Sequence, residues 1–356
     1  MKKKVLFLLP YPLNKAPSQR FRVEAYFTIL TEHGIDYSVN TFLDDAAWTV
    51  LYKKGSYVQK ALAVIKGFCK RLIYILSVAP KSDFVFVHRE ASPLGPPIFE
   101  FIITKILGKR MIYDFDDAIW IPKTTKENKI VNWVKAFWKI KTICKWSYKV
   151  AGGNDFLCGH ARNYAEKVIL LPTSVDVLNK HNTLKNQETE KVVVGWTGSH
   201  STMIYLDEVV PVLKKMVERL GIEVVIISNK QPRFLIPNLQ YITWKEESEI
   251  EDLSMLNIGV MPLTNDLWSE GKCGFKLIQY MALGIPAVAS PVGVNKEIID
   301  EENGFLCTSE NEWYHALEKL VNDVELRKKM GAKGREKIVK SYSVQANADT
   351  FLALFN

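Results

Sequence analysis

Short runs of β-branched and other apolar residues alternate along the chain with longer stretches whose apolar positions recur every three or four residues. Residues 4–9 (KVLFLL) precede an amphipathic stretch over 20–33, and residues 84–88 (FVFVH) precede another over 97–107. The run at 110–113 follows, and 168–172 (VILLP) reads as a closing strand. This is the strand–helix–strand rhythm of a parallel sheet. The polar stretch 179–190 has no hydrophobic period and reads as a linker. The rhythm restarts at 192–196. It continues through a helix over about 205–220, strands at 224–227 and 241–243, and a helix over 249–256. A strand at 258–261, a helix over 275–283, a strand at 287–289 and helices from 310 onward complete it. No short repeat links the halves, so their likeness is architectural. The pattern predicts an α/β fold of two Rossmann-like doubly wound domains facing across a cleft, with ligands at the carboxyl ends of the strands. The first domain is placed at 1–178, the linker at 179–190 and the second at 191–340. The last segment, 341–356, is a helix expected to pack back on the first domain.

The composition fits a folded chain: 356 residues, 47% of them hydrophobic, enough for two cores. Cys69, Cys144, Cys158, Cys273 and Cys307 are odd in number and widely spaced, which argues against a disulfide framework and a zinc site and for a reducing cytosol. The opening Lys2, Lys3 and Lys4 followed by apolar residues imitates a signal peptide, but Pro10 ends the run too soon, and it reads as a strand. No stretch approaches the roughly 20 apolar residues of a membrane span.

Charge separates the halves. Residues 1–178 hold 27 Lys and Arg against 15 Asp and Glu, a net of +12, whereas 179–356 carry −4. A basic half attracts anionic lipid, nucleic acid or phosphorylated substrates. Two segments account for it: 53–74, with Lys60, Lys66, Lys70 and Arg71 among Val58, Leu62, Ile65 and Leu72, and 133–149, with Lys135, Lys139, Lys141 and Lys145 among Trp133, Phe137, Trp138 and Trp146. Both read as basic amphipathic helices, placed either at an anionic membrane interface or with their apolar faces packed on the first sheet.

The most informative stretch is 271–286, GKCGFKLIQYMALGIP. Gly271 and Gly274 precede a helix whose first turn carries Lys276. Amides, the positive end of the helix dipole and an ammonium therefore meet at one spot suited to an anion. Gln279 lies one turn on, and Lys272 sits in the preceding loop. The turn 194–201 (VGWTGSHS) follows a strand and precedes a helix, so Gly198 and Ser199 can offer amides and a hydroxyl to phosphate. No GxGxxG opens either half, which counts against a nicotinamide dehydrogenase.

In order and spacing, the segment from Trp244 through Ile258–Leu263, Gly271-Lys272 and 276–282 to 289–293 and 303–305 resembles the nucleotide-sugar half of family-4-type retaining glycosyltransferases of the bacterial cell-surface polysaccharide type, which have the GT-B fold. The likeness covers most of 190–345 and is much weaker before 180. It implies transfer of a sugar from a UDP- or GDP-sugar, with retention and without a metal or other cofactor, to an acceptor held by the N-terminal domain. Many members carry two glutamates eight apart, for the donor sugar and the ribose. Here Gln279 stands at the second position and Gly271 at the first, with Glu270 one residue out of register. Gln279 can still bond a ribose diol. Phe275 and Gly274 fall on the donor loop, and Trp244 lies either beside the base or in the core.

In the first half, Asp114-Phe115-Asp116-Asp117 follows the run ending at Tyr113. These carboxylates would hold Mg²⁺ or Mn²⁺, cap a helix, or face the acceptor; the acceptor reading is preferred, with Asp116 orienting it and no metal assigned. His88 and Arg89 end another strand, where Arg89 serves a phosphate or a loop salt bridge, and Arg20 lies in the loop that flanks donor phosphate and acceptor in the family. Arg22 is expected to be paired on the helix surface. The leading reading is a glycosyltransferase that is cytoplasmic and peripheral to the inner membrane face, acting on a lipid-linked or polysaccharide acceptor. Lys272, Lys276 and the 198–199 turn would steady the leaving diphosphate, whose oxygen helps to take the acceptor proton. The alternatives are a nucleotide-sugar epimerase of the same fold and a non-catalytic sugar-nucleotide or nucleic-acid binder; nucleic acid is disfavoured because it leaves the 195–295 motifs unexplained.

Overall fold

In the computed structural model, which describes residues 2–51, 55–122 and 135–356, the chain divides into two compact units. Met1–Thr173 with Ala348–Asn356 form the first, and Ser174–Asn347 the second.

The first unit is built on strands β1 (Lys4–Leu9), β2 (Asp36–Thr41), β3 (Phe84–His88), β4 (Arg110–Phe115), β5 (Lys149–Gly152) and β6 (Val168–Leu170). They lie parallel in the order β2-β1-β3-β4-β5-β6. β1, β3 and β4 are buried almost throughout, as continuous apolar runs in a parallel sheet must be. Phe351 and Phe355, from the end of the chain, pack on Phe86 of this sheet, and Phe355 also meets Phe7 and Phe84.

Three local expectations change. Residues 20–33 are not one helix but Pro17–Arg22, a 3₁₀ turn Glu24–Tyr26 and Phe27–Glu32, because Val23 leaves the helical region. Over 97–107 a short α-helix, Ile98–Phe101, widens into π-helix at Ile102–Ile106. β4 runs two residues past Tyr113, so Asp114 lies inside the sheet rather than after it. A carboxylate is tolerable there only because it is paired.

Helix Tyr57–Ser77 buries Gly67, Arg71 and Ile75. Arg71 donates to the carbonyls of Leu9 (2.6 Å) and Asn40 (3.0 Å), which pins the helix to the ends of β1 and β2. Its opposite side leaves Val58, Leu62, Ile65, Leu72 and Leu76 exposed, at spacings of three, four and seven. Of the second basic segment, residues 133 and 134, Trp133 included, lie outside the described residues, and a helix forms at Lys139–Trp146. Lys139 is not a surface lysine. It is buried, donates to the Ser92 carbonyl (2.9 Å) and pairs with Glu90 at 2.8 Å.

The second unit carries β7 (Val193–Thr197), β8 (Glu223–Ser228), β9 (Leu239–Thr243), β10 (Ile258–Met261), β11 (Ala287–Ala289) and β12 (Gly304–Leu306), parallel in the order β12-β11-β10-β7-β8-β9. The strand order reverses between β7 and β10, which opens a crevice at their carboxyl ends. Val194, Trp196, Leu213, Val224, Ile258, Trp313 and Leu317 belong to its core. Residues 205–220 divide into a 3₁₀ segment, Met203–Glu208, and helix Val210–Leu220, with Pro211 in the helix's first turn. The polar stretch 179–190 lies along this unit: Lys185 N–H donates to the Leu283 carbonyl at 2.8 Å, and Gln187 takes a bond from the Arg327 guanidinium.

Candidate active site

The crevice of the second unit collects most of the residues singled out in the motifs. Helix Phe275–Ala282 begins at Gly274, whose φ of +63° is left-handed and whose α-carbon faces Ile298 so closely that a Cβ would clash. Only glycine turns the chain into the helix here. Lys276, in the first turn, is half-buried, with its Nζ 5.3 Å from the centre of the Trp196 ring. Its stem runs over Gly198, the first residue after β7. Lys272 sits in the loop before the helix, Nζ 5.1 Å from the Trp268 ring. The Lys276 ammonium and a helix N-terminus thus lie at the crevice where the strand order reverses, with Lys272 in the loop just before.

Gln279 is one turn beyond Lys276 and 2% exposed, and its amide nitrogen is buried without a hydrogen-bond partner. A buried unsatisfied donor is costly and points to an acceptor that arrives with a ligand. Beneath it Tyr280 is tied in place, its hydroxyl accepting from the Thr197 N–H at 3.0 Å. Phe275 is the half-buried first residue of the helix.

The turn after β7 works differently from its sequence reading. The Gly198 N–H is spent on the Ile227 carbonyl at 3.0 Å, so it continues the sheet instead of facing phosphate. The turn's exposed polar groups include the Ser199 and Ser201 hydroxyls, 2.8 Å apart, and the His200 ring between them in the chain. Glu270 ends a short helix, Leu267–Glu270, capped by Asp266, and its backbone packs against Gly293. Trp244 follows β9 and is half-buried, with its indole N–H on Glu249 at 3.2 Å. A cavity of about 510 Å³ opens beyond β10, β11 and β12, lined by Glu208, Leu263, Ser290, Thr308 and Trp313 among others. Leu263 and Ser290 belong to segments that carry the family resemblance, but none of the candidate site residues is among its lining residues.

The first unit assembles a second polar cluster, at the carboxyl ends of β3 and β4. Asp114 is fully buried, takes charged bonds from the Arg22 guanidinium, and accepts from His88 Nδ1 at 2.7 Å. Arg22 is therefore a buried ion-pair partner, not the surface group expected from the helix pattern; it also donates to the Leu171 carbonyl. Arg20 is buried as well, over the Phe21 ring. Arg89, held at φ +60°, spreads its guanidinium over two carboxylates, Nε to Asp116 at 2.8 Å and NH2 to Asp117 at 2.7 Å. Such strain in a non-glycine residue costs about 1–3 kcal/mol and collects at functional sites.

Burial pushes the Asp116 carboxyl up, but Arg89, with His88 and Arg22 behind it, holds it well below the usual carboxylate range. Asp116 is thus a firm anion, able to accept a hydroxyl's hydrogen bond and poorly suited to keep its proton. Sequence reasoning missed Ser18: its Oγ lies 2.8 Å from His88 Nε2 and bonds Asp116. The only hint was its place in Ser18-Gln19-Arg20-Phe21-Arg22, because a partner 70 positions away leaves no local pattern.

Comparison with known proteins follows this geometry. Residues 191–323 match the family described as Glycosyl transferases group 1. A stretch of 84 residues is 30% identical to a trehalose synthase of Pyrococcus horikoshii, covering 23% of this chain and 20% of that protein, so the match spans a fifth of the relative's length. Over the whole chain the fold is that of sucrose-phosphate synthase from Thermosynechococcus elongatus, with TM-score 0.71, 12% identity and coverage of 100% of this chain and 98% of that one. It is also that of Anabaena HepE, solved in complex with UDP and glucose, with TM-score 0.66, 13% identity and 99% of each chain covered. The chain has the GT-B fold, and over residues 191–323 its second unit is similar to the group 1 glycosyl transferases.

Proposed function

We propose that the protein transfers a sugar from a nucleotide-sugar donor, UDP- or GDP-linked, to a lipid-linked or polysaccharide acceptor, with retention at the anomeric carbon and without a metal. The observation that carries this reading is the convergence of Lys276, Lys272, the N-terminus of helix Phe275–Ala282 and the unsatisfied amide of Gln279 at the reversal point of the second sheet. Lys276 and Lys272 bind the diphosphate and stabilise its charge as the bond to the sugar breaks. Gln279 donates to a ribose hydroxyl, Trp244 flanks the base, and Glu270 serves the donor sugar. Asp116, steered by Arg89, orients the acceptor hydroxyl. Metal independence is supported by the pairing of the acidic cluster: Asp114 answers Arg22, and Asp116 and Asp117 answer Arg89, while the phosphate charge is met by lysines. Thermal shift against a panel of UDP- and GDP-sugars, with Lys276→Ala as the control, tests the donor assignment.

The acceptor reading draws on helix Tyr57–Ser77. No helix among the described residues is long and apolar enough to cross a membrane. This one exposes Val58 at 73%, Leu62 at 60% and Ile65 at 58%, with Lys66 and Lys70 on the flank of the stripe. An amphipathic helix with that division lies in the interface of an anionic bilayer, its apolar stripe entering the acyl boundary and its lysines on the headgroups. Such docking presents the first unit to lipid-linked substrates at the inner face of the membrane.

A further inference from the structure

The cavity of the second unit lies at the carboxyl ends of β10, β11 and β12 and measures about 510 Å³. Sites that hold a small organic molecule span about 300–1,000 Å³. Its floor is apolar: Leu263, Val292, Cys307 and Trp313 are buried, and the little surface they expose lines the cavity. The polar member of the floor, Ser290, is fixed from three directions. Its N–H donates to the Met261 carbonyl at 3.2 Å, its carbonyl accepts from the buried Asn295 amide at 3.0 Å, and its Oγ accepts from the Leu263 N–H at 2.9 Å. The hydroxyl keeps its own proton and a second lone pair. The floor is therefore built before anything enters.

The mouth is polar and carries no cation. Glu208, Asn265, Thr308 and Glu310 are exposed around it, and among the described residues no Lys, Arg or His lines the cavity. The Thr308 hydroxyl donates to Glu312 at 2.7 Å and Glu310 accepts from Lys215, so both are committed. Glu208 is answered by no cation: partial burial alone acts on its carboxyl and pushes it up. These groups select a ligand by exclusion. A phosphate would meet two carboxylates and no positive charge, which rules out the nucleotide. A wholly apolar ligand would leave the Ser290 hydroxyl and the Asn265 amide without partners once water is displaced. An ammonium has only donors and cannot accept from either of them. A sugar ring does both, since each hydroxyl donates one bond and accepts others, and its C–H face suits the floor. The Glu208 carboxylate can accept from two neighbouring hydroxyls.

We propose that this cavity is a saccharide site separate from the nucleotide crevice. It holds a neutral sugar ring with its apolar face toward Trp313 and Val292 and its hydroxyls toward Ser290, Asn265 and Glu208. The site does not depend on the transferase reading, and it concerns the second unit alone, because every lining residue belongs to that unit. The wall Ser290–Val292 runs on into Gly293, whose α-carbon lies against the Glu270 backbone. The cavity thus adjoins the donor loop without sharing a candidate donor residue with it. The second unit thereby has a place for a sugar that carries no nucleotide.

Saturation-transfer NMR and calorimetric titration of the full-length protein test the site. The ligands are glucose, galactose, mannose, N-acetylglucosamine, sucrose and maltose, with spermidine as the amine control. At least one sugar should bind with a Kd in the low millimolar range, as a ligand of so few atoms does. Asn265→Trp, which closes the mouth with a bulky ring, and Glu208→Ala should each weaken that binding at least about tenfold. Both positions are exposed, so both variants should keep the wild-type melting temperature. The sugar should still bind when the UDP- or GDP-sugar that gives the largest thermal shift is present at saturation. No binding by any of the six sugars, or undiminished binding by both variants, would overturn the site. Displacement of the sugar by the nucleotide sugar would make the cavity part of the donor crevice and overturn its separateness. Spermidine bound more tightly than every sugar, and lost in Glu208→Ala, would make it an amine site instead.

Discussion

Lys276 lies across Gly198: a Cβ added at residue 198 would stand 2.9 Å from Lys276 Cε and 2.7 Å from the outer edge of the Trp196 ring. The side chain proposed to meet the leaving phosphate is thus aligned by the absence of one at the end of the neighbouring strand. Lys276→Ala should lower turnover at least about tenfold, since a charge-assisted bond is worth about 1.5–3 kcal/mol. Gly198→Ala should reproduce part of that loss by displacing the ammonium. Steady-state kinetics on variants with wild-type circular dichroism checks both, and an unchanged rate for Lys276→Ala would take this lysine out of the site.

Gln279 separates stability from binding. Its amide nitrogen is buried without a partner, so Gln279→Met, similar in volume and free of that donor, should leave the ligand-free protein as stable or more stable by up to about 1–3 kcal/mol, while weakening nucleotide binding. Paired thermal-melt and calorimetric titrations read the two effects. A fall in both, or in neither, would contradict the ribose role.

The acidic cluster makes an ionic prediction. Activity is expected to persist in excess EDTA if, as proposed, lysines meet the diphosphate charge, since Arg22 and Arg89 are already paired with the aspartates. Loss of activity that Mn²⁺ or Mg²⁺ restores would reassign Asp116 and Asp117 as metal ligands.

Asp114 also sets a pH dependence of stability. Burial pushes its carboxyl up, but Arg22 and then His88 outweigh this, and the net shift is downward. A carboxyl depressed in the folded state stabilises fully above its unfolded value, about 3.9, and that contribution fades as pH falls through the lower folded value. Asp114→Asn, which leaves Arg22 buried and unpaired, should therefore be less stable by about 3–5 kcal/mol at pH 7. The gap should narrow below about pH 4. Urea unfolding at pH 7 and pH 3 measures it, and a gap independent of pH would mean that Asp114 is not held as an anion.

The proposed membrane docking would depend on the apolar stripe as well as on charge. Replacing Leu62, Ile65 and Leu72 with serine removes exposed side chains and should cost about 0.5 kcal/mol or less of folding stability per substitution, yet reduce sedimentation with anionic vesicles several-fold. Binding should weaken as salt rises from roughly 0.05 to 0.5 M, because the lysine contribution is screened. Lys139 is the wrong lysine to neutralise, since it is buried against Ser92 and Glu90 and its loss would act on the fold. Protein left in the supernatant at low salt would make the stripe a surface for something other than lipid.

How much of this was legible in the sequence follows from the range of the interactions. The strands and the motif at 271–286 were readable because periodicity and the glycine–lysine spacing are local, and the structure places Lys272, Gly274, Lys276 and Gln279 together at one sheet reversal. The long helices at 20–33 and 97–107 were not, because Val23 and the π-helical turn obey no hydrophobic period. Asp114 was misplaced because a charged residue normally ends a strand; Arg22, 92 positions away, and His88 allow it inside. The Gly198 amide was expected at phosphate, but its pairing with Ile227 depends on a strand formed 29 residues later. Lys139 and the Ser18–His88 contact were invisible for the same reason: burial and long-range partners decide their roles, not neighbours in the chain.

The central claim is that the second unit presents a nucleotide sugar for transfer, and a radiolabelled donor tests it most directly. UDP- and GDP-sugars carrying labelled sugar are incubated with the protein, with and without a membrane lipid extract, in the presence of EDTA. The account predicts that label passes from at least one donor into the lipid or glycan fraction only when that extract is present, and that Lys276→Ala abolishes most of the transfer. Label that stays wholly in the nucleotide sugar, or that emerges as an epimer or free sugar from donor alone at the same rate with and without the extract, would contradict it.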